Sequence, residues 1–240
     1  SVLIRNNTFS SSSIYGIFAK GSLSVVVDNN TLSDNSNYAI YVSSADDIII
    51  KSNTVSDNQA GIYVTGSDDA ILSSNIVDDQ TTYGVYIADS KRVKIKKNTI
   101  KNSQSDALVL SSNCDNAYID NNTIKNNGQT SSGRAVRLFA VDNTVLYNNS
   151  IESNDYTGIV ITGSSNNKII QNMVKGNGKY GIHVSNDAIE GKSANNTIKS
   201  NTINDNENHG LYIGGIYTDI VSNTIMPANT LPLFIHVGLF

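Results

Sequence analysis

Two of the three histidines and two of the four arginines in this 240-residue chain share a common spacing with one tyrosine and one aspartate. Arg137, Val160 and His183 follow one another at intervals of 23 residues, and three residues earlier in the same phase stand Asp106, Arg134, Thr157, Tyr180 and His209. If the chain winds so that these positions meet on one wall, the chemistry suits an acidic sugar. Guanidinium forks pair with carboxylates, and imidazole or phenol groups can take the proton next to a carboxylate. The candidate catalytic set is therefore Tyr180, His183, Arg137, Arg134, His209 and Asp106. Phe18, Tyr41, Tyr63, Tyr86 and Tyr212 fall in phase with Arg137 and His183, and form a candidate substrate-binding set on which sugar C–H faces could stack. Plainer readings stand beside these. Tyrosine is a favoured strand residue, and Asp106 with Arg134 could be a surface ion pair of little consequence.

The elements that would position these groups are legible from one returning phrase. Asn-Thr-Ile or a close relative sits at Asn7, Asn30, Asn53, Asn75, Asn98, Asn122, Asn149, Asn172, Asn201 and Asn223, so the successive gaps are 23, 23, 22, 23, 24, 27, 23, 29 and 22 residues. A fixed period in this range marks a solenoid whose rungs cover one another's apolar faces. Three residues before each Asn stands an aliphatic residue (Ile4, Val27, Ile50, Leu72 and onward), and two after it another apolar one (Phe9, Leu32, Val55, Val77 and onward). A third short strand reads small, apolar, variable, apolar, as in Gly61-Ile-Tyr-Val and Gly181-Ile-His-Val. Period-two alternation and the absence of helical spacing predict an all-β fold of three parallel strands per rung. About ten rungs at about 4.8 Å each give a rod of roughly 45–50 Å. The expected division is a parallel β-helix over residues 1–225 and a C-terminal cap or tail over 226–240, where Pro227 and the apolar residues up to Phe240 break the pattern.

The repeated Asn reads as structural: its amide both donates and accepts, so a stacked column can hydrogen-bond from rung to rung. The Thr that follows it in most rungs would point outward as an exposed column. Two long repeats, with extra residues around Gln129–Ser132 and around Asp187–Lys192, place insertions beside Arg134 and His183, and insertions on one side of a solenoid commonly build its binding face.

Composition narrows the partners. The formal charge is -4 and the basic residues form no cluster, which argues against nucleic acid. No apolar run approaches the roughly 20 residues of a membrane helix, so membrane insertion is not expected. A single cysteine, Cys114, excludes an intramolecular disulfide. The chain starts inside a repeat, which leads us to expect flanking domains of a longer protein. No cofactor is called for. The pairs Asp46-Asp47, Asp68-Asp69 and Asp78-Asp79 could hold Ca²⁺, against the commoner reading of solvated acidic turns.

The pattern N-N-T-I-x-x-N followed by G-I-Y-V resembles the parallel β-helix repeats of the pectin-lyase-like superfamily, in particular the NosD type and the mannuronan C5-epimerases. The resemblance covers residues 1 to about 225. It implies a right-handed, single-stranded parallel β-helix, an extracellular or cell-surface setting and a polysaccharide partner. The activity it implies is a lyase or epimerase acting on uronate-containing glycan; non-catalytic carbohydrate-binding and phage-tail or surface modules belong to the same superfamily. In the epimerases the active strand reads roughly Tyr-Gly-Phe-Asp with His close behind. Here Tyr180-Gly181-Ile182 matches its start, His183 takes the Asp position, and no second His follows. In that frame Tyr180 or His183 would be the base and Arg134 or Arg137 the carboxylate ligand. A hydrolase would instead need two carboxylates, for which Asp106 and Asp155 are candidates.

Overall fold

A computed structural model describes residues 2–21, 24–129, 133–226 and 231–236 of the chain. Each rung contributes three short strands, and every strand pairs in parallel with its counterpart one rung away. The result, among the described residues, is three ten-stranded parallel sheets wrapped into a right-handed β-helix. The third sheet runs from Ile17–Lys20 to Leu233–Ile235. The registers reproduce the repeat: Ile50 pairs with Leu72, Val77 with Ile100, and Tyr63 with Tyr86.

Inward side chains from all three sheets form one continuous apolar core, with the end-rung residues Ile4, Phe9, Ile220 and Ile225 partly open and Leu233 and Ile235 exposed at the last rung. Sheets buried on one face and ribbed by aliphatic columns gain most of their stability from this burial, at about 25 cal/mol per Å². The small residue that opens each third strand has a steric cause. A Cβ on Gly181 would lie 2.6 Å from both the Gly210 carbonyl and Ile203 Cγ2, so the backbone bends too close for a larger side chain.

The corners are built from pairs of residues. The first member adopts a left-handed conformation, as Ser52, Ser74, Lys97, Asn121 and Asn148 do with φ of 56°, 56°, 57°, 54° and 53°. The second is the repeated Asn, buried beneath the turn. Its Nδ2 donates to the Oδ1 of the next rung's Asn, at 3.0 Å for Asn75 to Asn98 and 2.9 Å for Asn122 to Asn149, and that Oδ1 also accepts the backbone N–H. The column is therefore a ladder, and its role is structural. A second ladder, which the sequence reading did not separate out, runs five residues later through Asn35, Asn58, Gln80, Asn127, Asn154, Asn177 and Asn206. Gln80 and Ser103 interrupt its regularity, and that is why the first ladder dominates the sequence.

Residues 130–132 of the first expected insertion, and 227–230 and 237–240 of the expected tail, lie outside the described residues. Gly128 and Gly133, which flank the insertion, approach closely: a Cβ on Gly133 would lie 2.5 Å from Gly128 Cα. No helix of the described residues is long and apolar enough to cross a membrane.

Candidate functional site

The third sheet carries both candidate sets on its outer side. Phe18, Tyr41, Tyr63, Tyr86, Val109, Arg137, Val160, His183, Tyr212 and Phe234 are register partners in unbroken succession. Distant positions in sequence are thus vertical neighbours.

The N-terminal part of this wall is one aromatic cluster. Phe18 stacks on Tyr41 with centroids 5.3 Å apart and planes 7° off parallel, and Tyr63 stacks on Tyr86 at 5.2 Å and 13°. Tyr15 and Tyr38 from the neighbouring column interleave with them, Tyr38 lying 4.9 Å from Tyr63. Rings stacked along the rod cover one another's faces, so edges and hydroxyls are what the solvent meets. Burial and the surrounding phenols push the Tyr63 hydroxyl up to about 12.

The middle of the wall departs from expectation. Asp106, Val109, Thr157 and Val160 occupy outward phases, yet all four are buried. The reason is unequal side-chain size: Val109 is in register between Tyr86 and Arg137, and the long neighbours close over the short residue. The Tyr86 hydroxyl reaches across this rung to Ser111 Oγ at 3.0 Å. Asp106 is consequently not a surface ion pair. Its Oδ1 accepts the Arg134 backbone N–H at 2.6 Å, while its Oδ2 faces Arg134 Nη1 at 3.6 Å and Arg137 Nη1 at 3.8 Å. Burial raises its carboxyl above the ordinary range, and the two arginines offset this only in part. The Arg137 guanidinium also lies over the Phe139 ring at 5.0 Å. The Thr157 hydroxyl, between Arg134 and Tyr180 in the column, is buried without a hydrogen-bond partner.

Beyond Val160 lies a second ring cluster. His183 meets Tyr180 edge-on at 5.2 Å and Tyr212 at 4.8 Å and 84°. Tyr180 stacks on His209 at 5.8 Å, and His209 on Phe234 at 5.3 Å. Burial, with the charges of Lys179 and Arg134 nearby, lowers the His183 imidazole to about 4, so it is neutral at ordinary pH. The six candidate catalytic residues therefore fall into two groups, Asp106 with Arg134 and Arg137, and Tyr180 with His183 and His209. The charge of Arg134 is felt at His183. Asp155 is exposed on the turn before Thr157, away from the burial that surrounds Asp106. In the second insertion, Asp187 Oδ1 accepts the N–H groups of Ile189 and Glu190 at 2.8 and 2.9 Å, and a recess of about 240 Å³ lies among Asn186, Asp187, Ala188, Gly191 and Lys192. Residue spacing placed Thr157 in the column but not its burial, and it carried no signal for Lys179 or Phe139 as neighbours of the site, because both depend on side-chain direction.

The acidic turns are engaged with the protein itself. Asp46 Oδ1 accepts the Asp68 N–H at 2.8 Å, and Arg92 closes on Asp68 and Asp69 at 3.1 and 2.7 Å. Among the described residues no three or more His, Cys, Asp or Glu side chains converge to hold a metal.

Comparison with known proteins gives a consistent fold. No curated protein sequence matches the chain. Among solved structures, the A-module of the Azotobacter vinelandii mannuronan C-5 epimerase AlgE6 superposes with a TM-score of 0.70 at 16% identity, covering 90% of this chain and 65% of that module. The periplasmic alginate epimerase AlgG superposes at 0.61 with 13% identity over 98% of this chain and 77% of its own. The Dettilon tailspike protein gp208 reaches 0.77 at 14% identity over 95% of this chain, which spans 48% of the tailspike. The chain thus covers less than two thirds of the first of these, and at such identities the likeness is one of fold. A family model described as a periplasmic copper-binding protein (NosD) matches residues 80–192. The side chains do not fit copper: Cys114 is buried, and no three His, Cys, Asp or Glu side chains converge among the described residues. A second family model, the right handed beta helix region, matches residues 1–132, more than half of the 240-residue chain, with the corner ladders and parallel registers that such a fold requires, and the chain belongs to that family.

Proposed function

We propose that this chain is an extracellular or cell-surface β-helix that engages an acidic, uronate-containing polysaccharide along the outer face of its third sheet. The carrying observation is the cationic patch at Arg134 and Arg137. Their side chains remain 31% and 32% exposed, while the carboxylate they pair with, Asp106, is buried beneath them; Arg137 also lies within electrostatic reach of Asp187 in the second insertion. With Lys179 nearby and His183 neutral, this patch is locally positive on a chain whose formal charge is -4. Opposite charge on a partly desolvated face favours an anionic ligand and its carboxylate geometry. The alginate epimerases among the structures of similar fold support the same substrate class.

The reaction this arrangement suits is removal of the C5 proton of a uronate. Arg134 or Arg137 would neutralise the sugar carboxylate, on which charge builds as the proton leaves. Tyr180 or His183 would take that proton, His183 having its lone pair free because burial keeps it neutral. A bound carboxylate would raise the basicity of His183 by offsetting the cations that now lower it. Return of the proton to the other face gives epimerisation; expulsion of the C4 oxygen gives an unsaturated lyase product. His209 and Tyr212 would position these rings by stacking. The N-terminal aromatics would contact the glycan through hydroxyls and ring edges.

A second reading, a non-catalytic binding or tail-fibre module, is favoured by the same aromatic stacking, which stiffens a rod with no ligand present. Incubation with oligomers of galacturonate, mannuronate and glucuronate separates the two readings. Unsaturated ends or C5 inversion, both lost in Arg137→Ala, support the enzyme. Binding without turnover, weakened about tenfold or more in Arg137→Ala, supports the module. Absence of both with every uronate oligomer sinks the proposal.

A further inference from the structure

Asp106 is the most buried of the carboxylates that pair with cations among the described residues. Its side chain is 4% exposed, against 11% for Asp28, which Arg5 meets directly at 2.7 Å, while Asp68, Asp69 and Asp78 stay open to solvent. Its bonding is also divided. The backbone N–H of Arg134 holds one oxygen at 2.6 Å, but the two guanidinium groups stand off the other at 3.6 and 3.8 Å. Arg92, by comparison, closes on Asp69 with hydrogen bonds of 2.9 and 2.7 Å. Arg134 and Arg137 are thus held to Asp106 mainly by charge, which leaves most of their N–H forks free to meet a ligand.

We propose that Asp106 is a positioning residue that keeps Arg134 and Arg137 turned to the face, shares them with the carboxylate of an incoming acidic sugar, and takes up a proton from solvent as it does so. The inference rests on the reading of this face as an acidic-glycan site. A buried carboxylate stays ionised only while opposite charge compensates it. The charged groups facing Asp106 are the two arginines on the following rung, and Arg137 also feels the Asp187 carboxylate of the second insertion. The preceding rung presents Tyr83 and Tyr86, and Lys179 and His183 lie two rungs beyond Arg134 and Arg137. No other cation on these elements takes over when the arginines turn to a ligand. Burial already outweighs the arginines in setting the direction of the Asp106 shift, so drawing their charge to a second carboxylate moves it further upward. Binding and protonation then favour each other, as linkage requires.

The consequence is a pH dependence opposite to that of a plain arginine site. A plain site binds a carboxylate ligand less well as falling pH neutralises the ligand. Here affinity rises as pH falls toward the Asp106 range, by up to about tenfold per pH unit for uptake of one proton. Titration calorimetry of the full chain with the three uronate oligomers, at about pH 5 in two buffers of different ionisation enthalpy, reads the proton directly. The expected result is a buffer-dependent heat showing net uptake. It persists in His183→Gln, which removes the imidazole that a bound carboxylate would also make more basic. It vanishes when Asp106→Asn, which keeps an acceptor for the Arg134 N–H, is added to His183→Gln. Buffer-independent heat in the unaltered chain overturns the inference while leaving the glycan reading intact, and needs no variant to fold. Uptake that survives Asp106→Asn in the His183→Gln background overturns it as well. No binding heat with any oligomer removes both the inference and the glycan reading.

Discussion

The Asn ladder at the corner and the outer column of the third sheet repeat at the same interval but behave in opposite ways. Along the ladder the residue type stays Asn from Asn7 to Asn223, and each amide is satisfied by its own copy one rung away. Along the sheet face the type changes from Phe and Tyr to Val, Arg, Val, His and Tyr. A column whose members satisfy each other has a physical reason to stay uniform. A column that changes type gives up that mutual satisfaction, and leaves groups such as the Arg134 and Arg137 forks directed at something other than the next rung. The face itself divides in the same way. Its stacked aromatic end serves the rod, and its broken, charged middle carries the groups that a ligand would use.

Replacing one ladder residue is the strongest way to test that contrast. Asn122→Ala removes side-chain bonds to Ile95, Asp120 and Asn149 and strands the Asn98 amide groups in a buried corner. We expect a loss of about 3–5 kcal/mol in denaturant unfolding, since each buried polar group left unpaired costs about 1–3 kcal/mol. The exposed end member, Asn7→Ala, should cost under about 1 kcal/mol.

On the sheet face, His183 provides the next largest effect. Its folded value is lowered to about 4 from an ordinary 6.5, so between those values the unfolded chain binds a proton that the folded chain does not. Stability should therefore fall as pH drops from about 6.5 toward 4, by roughly 2–3 kcal/mol, and be insensitive to this group above that window. His183→Gln should flatten that slope in melts recorded across the same range; an unchanged slope assigns it to other groups.

Thr157→Val is the smallest and most discriminating change. The hydroxyl is buried without a partner, so an isosteric apolar replacement should be neutral or stabilising by up to about 1 kcal/mol in the free protein. If binding a uronate oligomer gives the hydroxyl its partner, the same variant binds more weakly while melting no lower. Lost stability without ligand would show that the hydroxyl already serves the fold.

Much of this was legible from residue spacing. The recurrence of Asn-Thr-Ile determined the three-strand rung, the aliphatic core and the alignment of Tyr63 with Tyr86 or Val160 with His183, because a repeat of nearly constant length leaves one register that keeps every apolar residue inside. The second ladder was partly hidden by Gln80 and Ser103, which occupy the Asn phase with different lengths. The aromatic set was legible as a column but not as a stack, since ring direction follows from the neighbours' rotamers.

What spacing alone determined, then, is which residues are vertical neighbours. Only the folded structure decided which outward residues reach solvent: Asp106, Val109 and Thr157 share a phase with exposed positions and are buried, because exposure depends on the size and direction of the side chains one rung above and below. That cover turns an apparent surface ion pair into a buried carboxylate beneath two half-committed arginines.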